Sequence, residues 1–281
     1  MGGAVAQRLI EAGHEVRLWN RTPGRAGALL ERGGVEARSI PDAVRDAAIV
    51  ITSLADDAAV RAVCIGPNAV SASLRDDALL VDTSTVAPAT SRAVASAVGG
   101  RFVDSPIVGA PAAALAQQVT LLVGGDDAHI DRADPVLAAF SARRVRCGPV
   151  GAGVTVKLLA NELLLAQIAA VAEVVASAQA NGVREELLAW LRDSGLVPNN
   201  LKNRWDDLLA GDHQGWFSMR LGRKDLGLAI DLAADAGLDL AVARAADELF
   251  ARGVEAGFGD LDIGAVVEAV RARRTAAPVH P

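Results

Sequence analysis

The chain has 281 residues, 51% of them hydrophobic and 22% charged, with a formal net charge of −6. This length supports a large buried core and two domains, and the composition is that of a folded globular protein rather than a disordered one. With no clustered stripe of Lys and Arg, the sequence argues against nucleic acid as a partner.

In chain order, residues 3–13 read as a helix, with Ala4, Leu9 and Ile10 apolar and a stop at Gly13. The alternating segment 15–19 reads as a strand, and 24–33 as a helix. The strand 47–54, a helix after Asp56, the strand 78–84, the helix 89–98 and the strand 101–106 follow. This alternation predicts βαβ units and a parallel, doubly wound sheet of the Rossmann type. The strand 119–125 and the segment 143–148 come next. From about residue 153 the pattern is helical throughout: 153–181, 184–194, 199–210, 218–236, 240–255 and 262–273. The expected organisation is an α/β domain over 1–150 and an all-α domain over 151–281, entered by a long interdomain helix. Leu158 to Ala178 is the most apolar stretch, but Asn161, Glu162, Gln167 and Glu173 interrupt it, so it reads as a core helix rather than a membrane span. The tail from Thr275 to Pro281 lacks periodicity and is expected to fray.

Cys64 and Cys147 stand far apart, with no spacing of a metal site or disulfide framework, which fits a reducing cytoplasm. The first residues show no basic stretch followed by an apolar run, so no secretory leader is read there. The chain has no Tyr, three lysines (Lys157, Lys202, Lys224) and four histidines (His14, His129, His213, His280). Proton transfer must draw on these and the carboxylates. The histidines have ordinary readings: His14 follows a helix stop, His280 lies in the tail, and His129 and His213 fall in charged, surface-like stretches.

Gly2 fits the last glycine of a G-x-G-x-x-G dinucleotide turn, at the start of a helix whose N-terminus favours phosphate. A strand and two further glycines complete that pattern, and the natural gene is expected to start about 10 residues upstream to supply them. Asn20, Arg21 and Thr22 follow a strand where a Rossmann fold reads the adenosine ribose. An Arg and a hydroxyl suit a 2′-phosphate, whereas Asp or Glu there suits the free ribose. A plain helix cap followed by a surface Arg fits the same tripeptide. Lys157 and Asn161 are four residues apart, on one face of an apolar helix, after Gly151 and Gly153. A lysine snorkelling from a first helical turn fits that spacing too. Without Tyr, the Tyr-x-x-x-Lys pair of short-chain dehydrogenases is impossible, and the ligands of a zinc alcohol dehydrogenase are missing.

Six stretches share one register: Met1 to His14, NRTP (20–23), ITSLADDAAV (51–60), VDTSTVAP (81–88), GPVGAGVTVKLLAN (148–161) and LGRKDLGLA (221–229). Together they resemble the β-hydroxyacid dehydrogenase family, the 3-hydroxyisobutyrate dehydrogenase-like oxidoreductases, essentially end to end. The resemblance implies a nicotinamide cofactor, with NADP(H) preferred over NAD(H), held by Gly2, Asn20, Arg21, Thr22, Leu54, Ala55, Thr85 and Lys224. It implies Lys157 as the proton-transferring residue, Asn161 as its partner at the reacting oxygen, and Val108, Gly109, Ala110, Asn161 and Phe217 at the substrate. It also implies a homodimer. One departure stands out. The family grips a carboxylate with a D-x-P-V-S-G-G loop, and here the loop is DSPIVGAP (104–111), with Val108 in place of Ser and Ala110 in place of the second Gly. Val donates no hydrogen bond, so the substrate is left open between a small hydroxy acid or carbonyl compound and an imine, as in the imine reductases, which share the fold. A non-catalytic nucleotide-binding relative is the remaining alternative.

Overall fold

In the computed structural model, which describes residues 1–272, the chain opens on helix α1 (Gly2–Glu11), whose buried face is Val5, Ala6 and Leu9. The strand β1 (Arg17–Leu18), helix α2 (Gly27–Leu30) and strand β2 (Val35–Glu36) follow, with β1 and β2 parallel in a two-stranded sheet of their own. Next come α3 (Ile40–Val44), β3 (Ile49–Thr52), α4 (Asp57–Cys64), α5 (Val70–Ser73), β4 (Leu79–Asp82), α6 (Pro88–Ala97) and β5 (Phe102–Asp104). The Asp56 carboxylate accepts from the Ala59 N–H at 2.8 Å and fixes the start of α4. The α/β part closes with β6 (Ile107–Val108), α7 (Pro111–Leu115), β7 (Val119–Gly125), α8 (Asp127–Leu137) and β8 (Ser141–Gly148).

The larger sheet has the order β3-β4-β5-β7-β6, with β8 beside β7. β3, β4 and β5 run parallel, placing Thr52, Asp82 and Asp104 side by side at their C-terminal ends. β7 runs antiparallel to β5 and β6 and parallel to β8. The sheet is therefore parallel-rich, as expected of a doubly wound fold, with β7 and β8 running against β3 to β6. A two-residue connection, Ser105 and Pro106, separates β5 from β6 and the chain then folds back through α7, too short a path for a crossover helix to return a parallel strand. β4 is buried on both faces: Leu79 and Val81 join a core with Val5, Leu9, Leu121 and Phe140, while Leu80 joins another with Val60, Val94 and Phe102.

The chain divides into two compact units, Met1–Lys157 and a second beginning at Leu158, and the division falls inside helix α9 (Ala152–Ala180). The second unit continues through α10 (Glu185–Asp193), α11 (Asn199–Lys202), α12 (Trp205–Ala210), α13 (Met219–Asp235), α14 (Ala241–Gly253), a π turn over Val254–Phe258, a 3-10 turn over Ile263–Ala265 and α15 (Val266–Arg271). Its core gathers Leu165, Ile168, Ala172 and Val175 of α9 with Trp205, Leu226, Phe250 and Val266. By length and composition α9 is apolar enough to cross a membrane, yet these residues of it stand in a helical core.

Two elements differ from expectation. The helix expected over 199–210 breaks at Arg204 (φ −107°, ψ 1°), whose guanidinium turns into a buried ion pair with Asp262 at 2.6 Å and stacks against Trp216 at 4.5 Å. Helix α8 is not evident from its sequence, DAHIDRADPVL, because only Ile130, Ala133 and Leu137 face the core and Pro135 lies inside it. The expected fraying of Thr275 to Pro281, the end of the 262–273 helix and His280 lie outside the described residues.

Candidate active site

Within the first unit, the residues read as cofactor-binding cluster by element ends. Gly2 opens α1, where no side chain caps the helix and no acidic residue occupies the first turn. A Cβ at Gly2 would stand 3.2 Å from the Ser53 Cβ, so the backbone passes close beneath the Ser53–Ala55 loop. An uncapped, acid-free helix start with close backbone approach is chemically fit for a phosphate. The Asn20–Arg21–Thr22 turn is exposed and closed locally, the Asn20 Oδ1 accepting from the Thr22 N–H at 3.0 Å. Farther along this loop the Glu36 carboxylate accepts from the Gly24 N–H at 3.1 Å. The loop tripeptide itself thus carries a guanidinium, a hydroxyl and an amide but no carboxylate.

Asp82 ties the next two loops together. Its Oδ1 accepts from the Thr52 hydroxyl at 2.7 Å and from the Ser84 hydroxyl at 2.6 Å, and the Ser84 Oγ accepts from the Leu54 N–H at 2.9 Å. Leu54 and Ala55 are thereby held beside Thr85, the residue after Ser84. Complete burial holds the Asp82 carboxyl above the usual carboxylate range, against the lowering effect of its hydroxyl donors. One strand over, Asp104 is buried and accepts from the Gly151 N–H at 2.7 Å and the Val154 N–H at 2.9 Å. Burial pushes its pKa up to about 6, opposed by those two N–H donors.

After Asp104 comes the loop that departs from the family pattern. Val108 is 38% exposed, an apolar surface where a hydroxyl donor was expected. Gly109 has φ +140°, and a Cβ there would meet Val119 Cγ1 at 2.8 Å, so only glycine fits between Val108 and Ala110. On α9, Lys157 is half-buried and Asn161 is buried one turn on, so the i, i+4 spacing does set both on one face.

In the second unit, Asn161 Nδ2 donates to Asp225 Oδ2 at 2.6 Å, and Lys224 Nζ pairs with Asp225 Oδ1 at 2.8 Å. One buried carboxylate therefore joins two residues singled out from sequence far apart in the chain. Asp225 itself was not singled out. Its signal was present: it falls on the apolar stripe of α13 with Gly222, Leu226 and Ala229, an acid at a core position. Phe217, just before α13, is fixed through its backbone, its N–H donating to Asp262 Oδ2 at 3.3 Å and its carbonyl accepting from the Ile263 N–H at 2.8 Å. His213 corrects a second expectation. It is 4% exposed, not a surface residue, because its ring sits between Asp207 Oδ2 at 2.9 Å and Glu268 Oε1 at 3.3 Å, pinning the loop that leads to Phe217.

Comparison with known proteins identifies the family. Residues 1–151 match the model described as the NAD binding domain of 6-phosphogluconate dehydrogenase, and residues 151–270 that of the NAD-binding domain of NADP-dependent 3-hydroxyisobutyrate dehydrogenase. The chain is 32% identical over 294 residues to a probable 3-hydroxyisobutyrate dehydrogenase of Mycobacterium tuberculosis, covering 98% of this chain and 96% of that one. Among solved structures it resembles a Mycobacterium tuberculosis 3-hydroxyisobutyrate dehydrogenase with L-serine (TM-score 0.83, 30% identity, 96% of each chain). It shares its fold with an imine reductase from Pseudomonas sp. (TM-score 0.61, 24% identity, 96% of each chain). With both halves matched and a relative 32% identical over nearly the whole chain, this chain belongs to the β-hydroxyacid dehydrogenase family and is an NAD(P)-dependent oxidoreductase.

Proposed function

We propose that this enzyme is an NADP(H)-dependent reductase or dehydrogenase in which Lys157 moves the proton at the reacting oxygen of a small carbonyl or hydroxy compound. A nicotinamide supplies or accepts the hydride. Lys157, an ammonium on a half-buried face of α9, gives its proton to the carbonyl oxygen in reduction and takes it back in oxidation. The observation that carries this reading is the Asn161–Asp225 contact at 2.6 Å. It commits one amide N–H of Asn161 to Asp225 and leaves Oδ1 as an acceptor, one turn from Lys157, suited to orienting a donating ammonium. Gly2, Leu54, Ala55, Thr85 and Lys224 serve the cofactor, and Val108, Gly109, Ala110 and Phe217 the substrate. The α/β domain over 1–150 binds the cofactor, and the helical domain over 151–281 serves substrate binding and dimerisation. Val108 favours a substrate less polar at that end than a carboxylate, because an unpaired charge against apolar surface is costly.

The test is NADPH oxidation over aldehydes, 2- and 3-keto acids and cyclic imines. Carbonyl substrates are expected to turn over, with apolar-substituted aldehydes preferred to keto acids. Turnover of imines alone would overturn the carbonyl reading. The preference for NADPH rests on Arg21. A charge-assisted hydrogen bond contributes about 1.5–3 kcal/mol, so Arg21→Ala is expected to raise the KM for NADPH about 10–100-fold and leave that for NADH little changed. Better use of NADH than NADPH by the unaltered enzyme would sink this assignment.

We also propose a cytoplasmic homodimer. Along α9, Val156, Leu159, Leu163 and Val174 are exposed at 40%, 51%, 60% and 48%, an apolar stripe on a helix whose other face fills the core. Light scattering is expected to give twice the 28.9 kDa chain mass, and Leu163→Glu to give the monomer. A monomeric unaltered protein at micromolar concentration would refute it.

A further inference from the structure

The first turn of α9 is poorly made for the job of aiming a catalytic side chain. It follows the run Gly148–Pro149–Val150–Gly151–Ala152–Gly153, rich in the residue that loses most freedom on ordering. Gly151 has φ +92°, and no Ser, Thr, Asp or Asn stands at the cap position. Its N–H groups are instead satisfied from a distant strand end. Asp104, at the C-terminal end of β5, accepts from Gly151 with one carboxylate oxygen and from Val154 with the other, at 2.7 and 2.9 Å. The fit is tight on every side. A Cβ at Gly124 would stand 2.7 Å from Asp104 Oδ1, and one at Gly153 2.7 Å from Oδ2. Lys157 lies three residues beyond Val154, one turn along the same helix, so slack in the clamped turn moves the lysine directly.

We infer that Asp104 is the positioning residue for Lys157: a bidentate carboxylate clamp, reaching from β5, that fixes the first turn of α9 and hence the place of the proton donor. The inference rests on Lys157 being the proton carrier. Asp104 touches neither substrate nor cofactor in this role and acts through the helix. Its burial has a consequence a simple structural cap lacks. Burial holds its pKa up to about 6, above the usual carboxylate value. The folded state therefore binds an extra proton between about pH 4 and pH 6, and this group's contribution to stability falls as pH rises through that window. The other groups near it are Asp82 on β4, which pushes its pKa further up, Cys147 on β8, and Arg92 of α6 close to Gly151. The ionised clamp that orders the helix thus costs stability where it works best.

Asp104→Asn keeps the shape and removes the charge and one acceptor. It is expected to lower kcat about 10–100-fold with the KM for the cofactor unchanged within about twofold, as loss of aim does. Its thermal midpoint, relative to the unaltered enzyme, should become more favourable from pH 4 to pH 6. A readout independent of turnover is the rate of trinitrobenzenesulfonate labelling of each lysine against pH, read by peptide mass. With three lysines in the chain, Lys202 is the internal reference. The Lys157 profile should shift in Asp104→Asn and that of Lys202 should not. An unchanged kcat or an unchanged Lys157 profile overturns the inference. If Asp104→Asn does not fold, amide exchange in the unaltered protein decides. Corrected for intrinsic rates, Gly151 and Val154 should lose protection as pH falls through 6 while the amides beyond Leu165 do not, and flat protection overturns it. The two readings fail separately: an active Lys157→Ala removes the premise, whereas an inactive Lys157→Ala beside a fully active Asp104→Asn removes only the clamp.

Discussion

Lys157→Ala is expected to lower kcat about 10²–10⁴-fold, the usual contribution of a positioned general acid, while NADPH affinity by fluorescence titration stays within about twofold. The size of the effect follows from what is left to replace it. The chain has no Tyr, and its other lysines, Lys202 and Lys224, are separated from position 157 by at least 45 residues of sequence. Lys224 is paired with Asp225 at 2.8 Å, and His213 is held between two carboxylates. Lys157→Arg should restore little, because a guanidinium keeps its proton at any working pH. The companion change Asn161→Ala should cost less in kcat but leave Asp225 buried with one donor removed, so it should also lower stability. Should Lys157→Ala retain turnover within tenfold of the unaltered enzyme, the mechanism fails.

The elements that were legible in the sequence are those in which local pattern and burial agree. β4 reads as a strand because Leu79, Leu80 and Val81 are apolar together and buried on both faces. The spacing of Lys157 and Asn161 is legible because a helix places i and i+4 on one side whatever surrounds it. The parallel run of β3, β4 and β5 was legible from the alternation of strands and helices, but the reversal at β7 was not. Nothing in VTLLVGG distinguishes a parallel β7 from the antiparallel one found, since both burial patterns are equally apolar. The buried acids were the larger omission. Asp82, Asp104 and Asp225 each look ordinary in sequence, because a carboxylate becomes informative only when tertiary structure strips it of water and supplies donors: hydroxyls for Asp82, backbone N–H groups for Asp104, an amide and an ammonium for Asp225. Each nonetheless broke an apolar pattern, at the last position of a buried strand or on the core stripe of a helix. That break was a readable cue. His213 shows the reverse error. Its neighbours Asp212 and Gln214 are polar and exposed, so the segment reads as surface, while the ring itself turns inward onto α12 and α15.

The second large effect is expected at Gly153, where a single methyl group is the test. A Cβ there would press on the Leu122 carbonyl oxygen and stand 2.7 Å from Asp104 Oδ2 and 3.0 Å from the Leu122 carbonyl carbon. Two of these three atoms are backbone of β7 and cannot rotate away. The third is the carboxylate that holds the Val154 N–H. Overpacking a close-packed site costs about 1–3 kcal/mol and more when the obstruction is backbone, so Gly153→Ala is expected to destabilise by at least about 2 kcal/mol. In urea the midpoint should fall accordingly, read separately by far-UV dichroism and tryptophan fluorescence because the chain has two compact units. Gly227 supplies the control. It lies in α13, and a Cβ there meets nothing within 4 Å. Gly227→Ala therefore gains helix propensity and should raise stability by about 0.5–1 kcal/mol. The same chemical change is thus expected to act with opposite sign at two helical glycines. If both variants shift the midpoint in the same direction, the close approach of α9 to β7 and Asp104 is not the constraint on this turn. If they diverge, the glycine at 153 is there because the clamp on α9 leaves no room for a side chain.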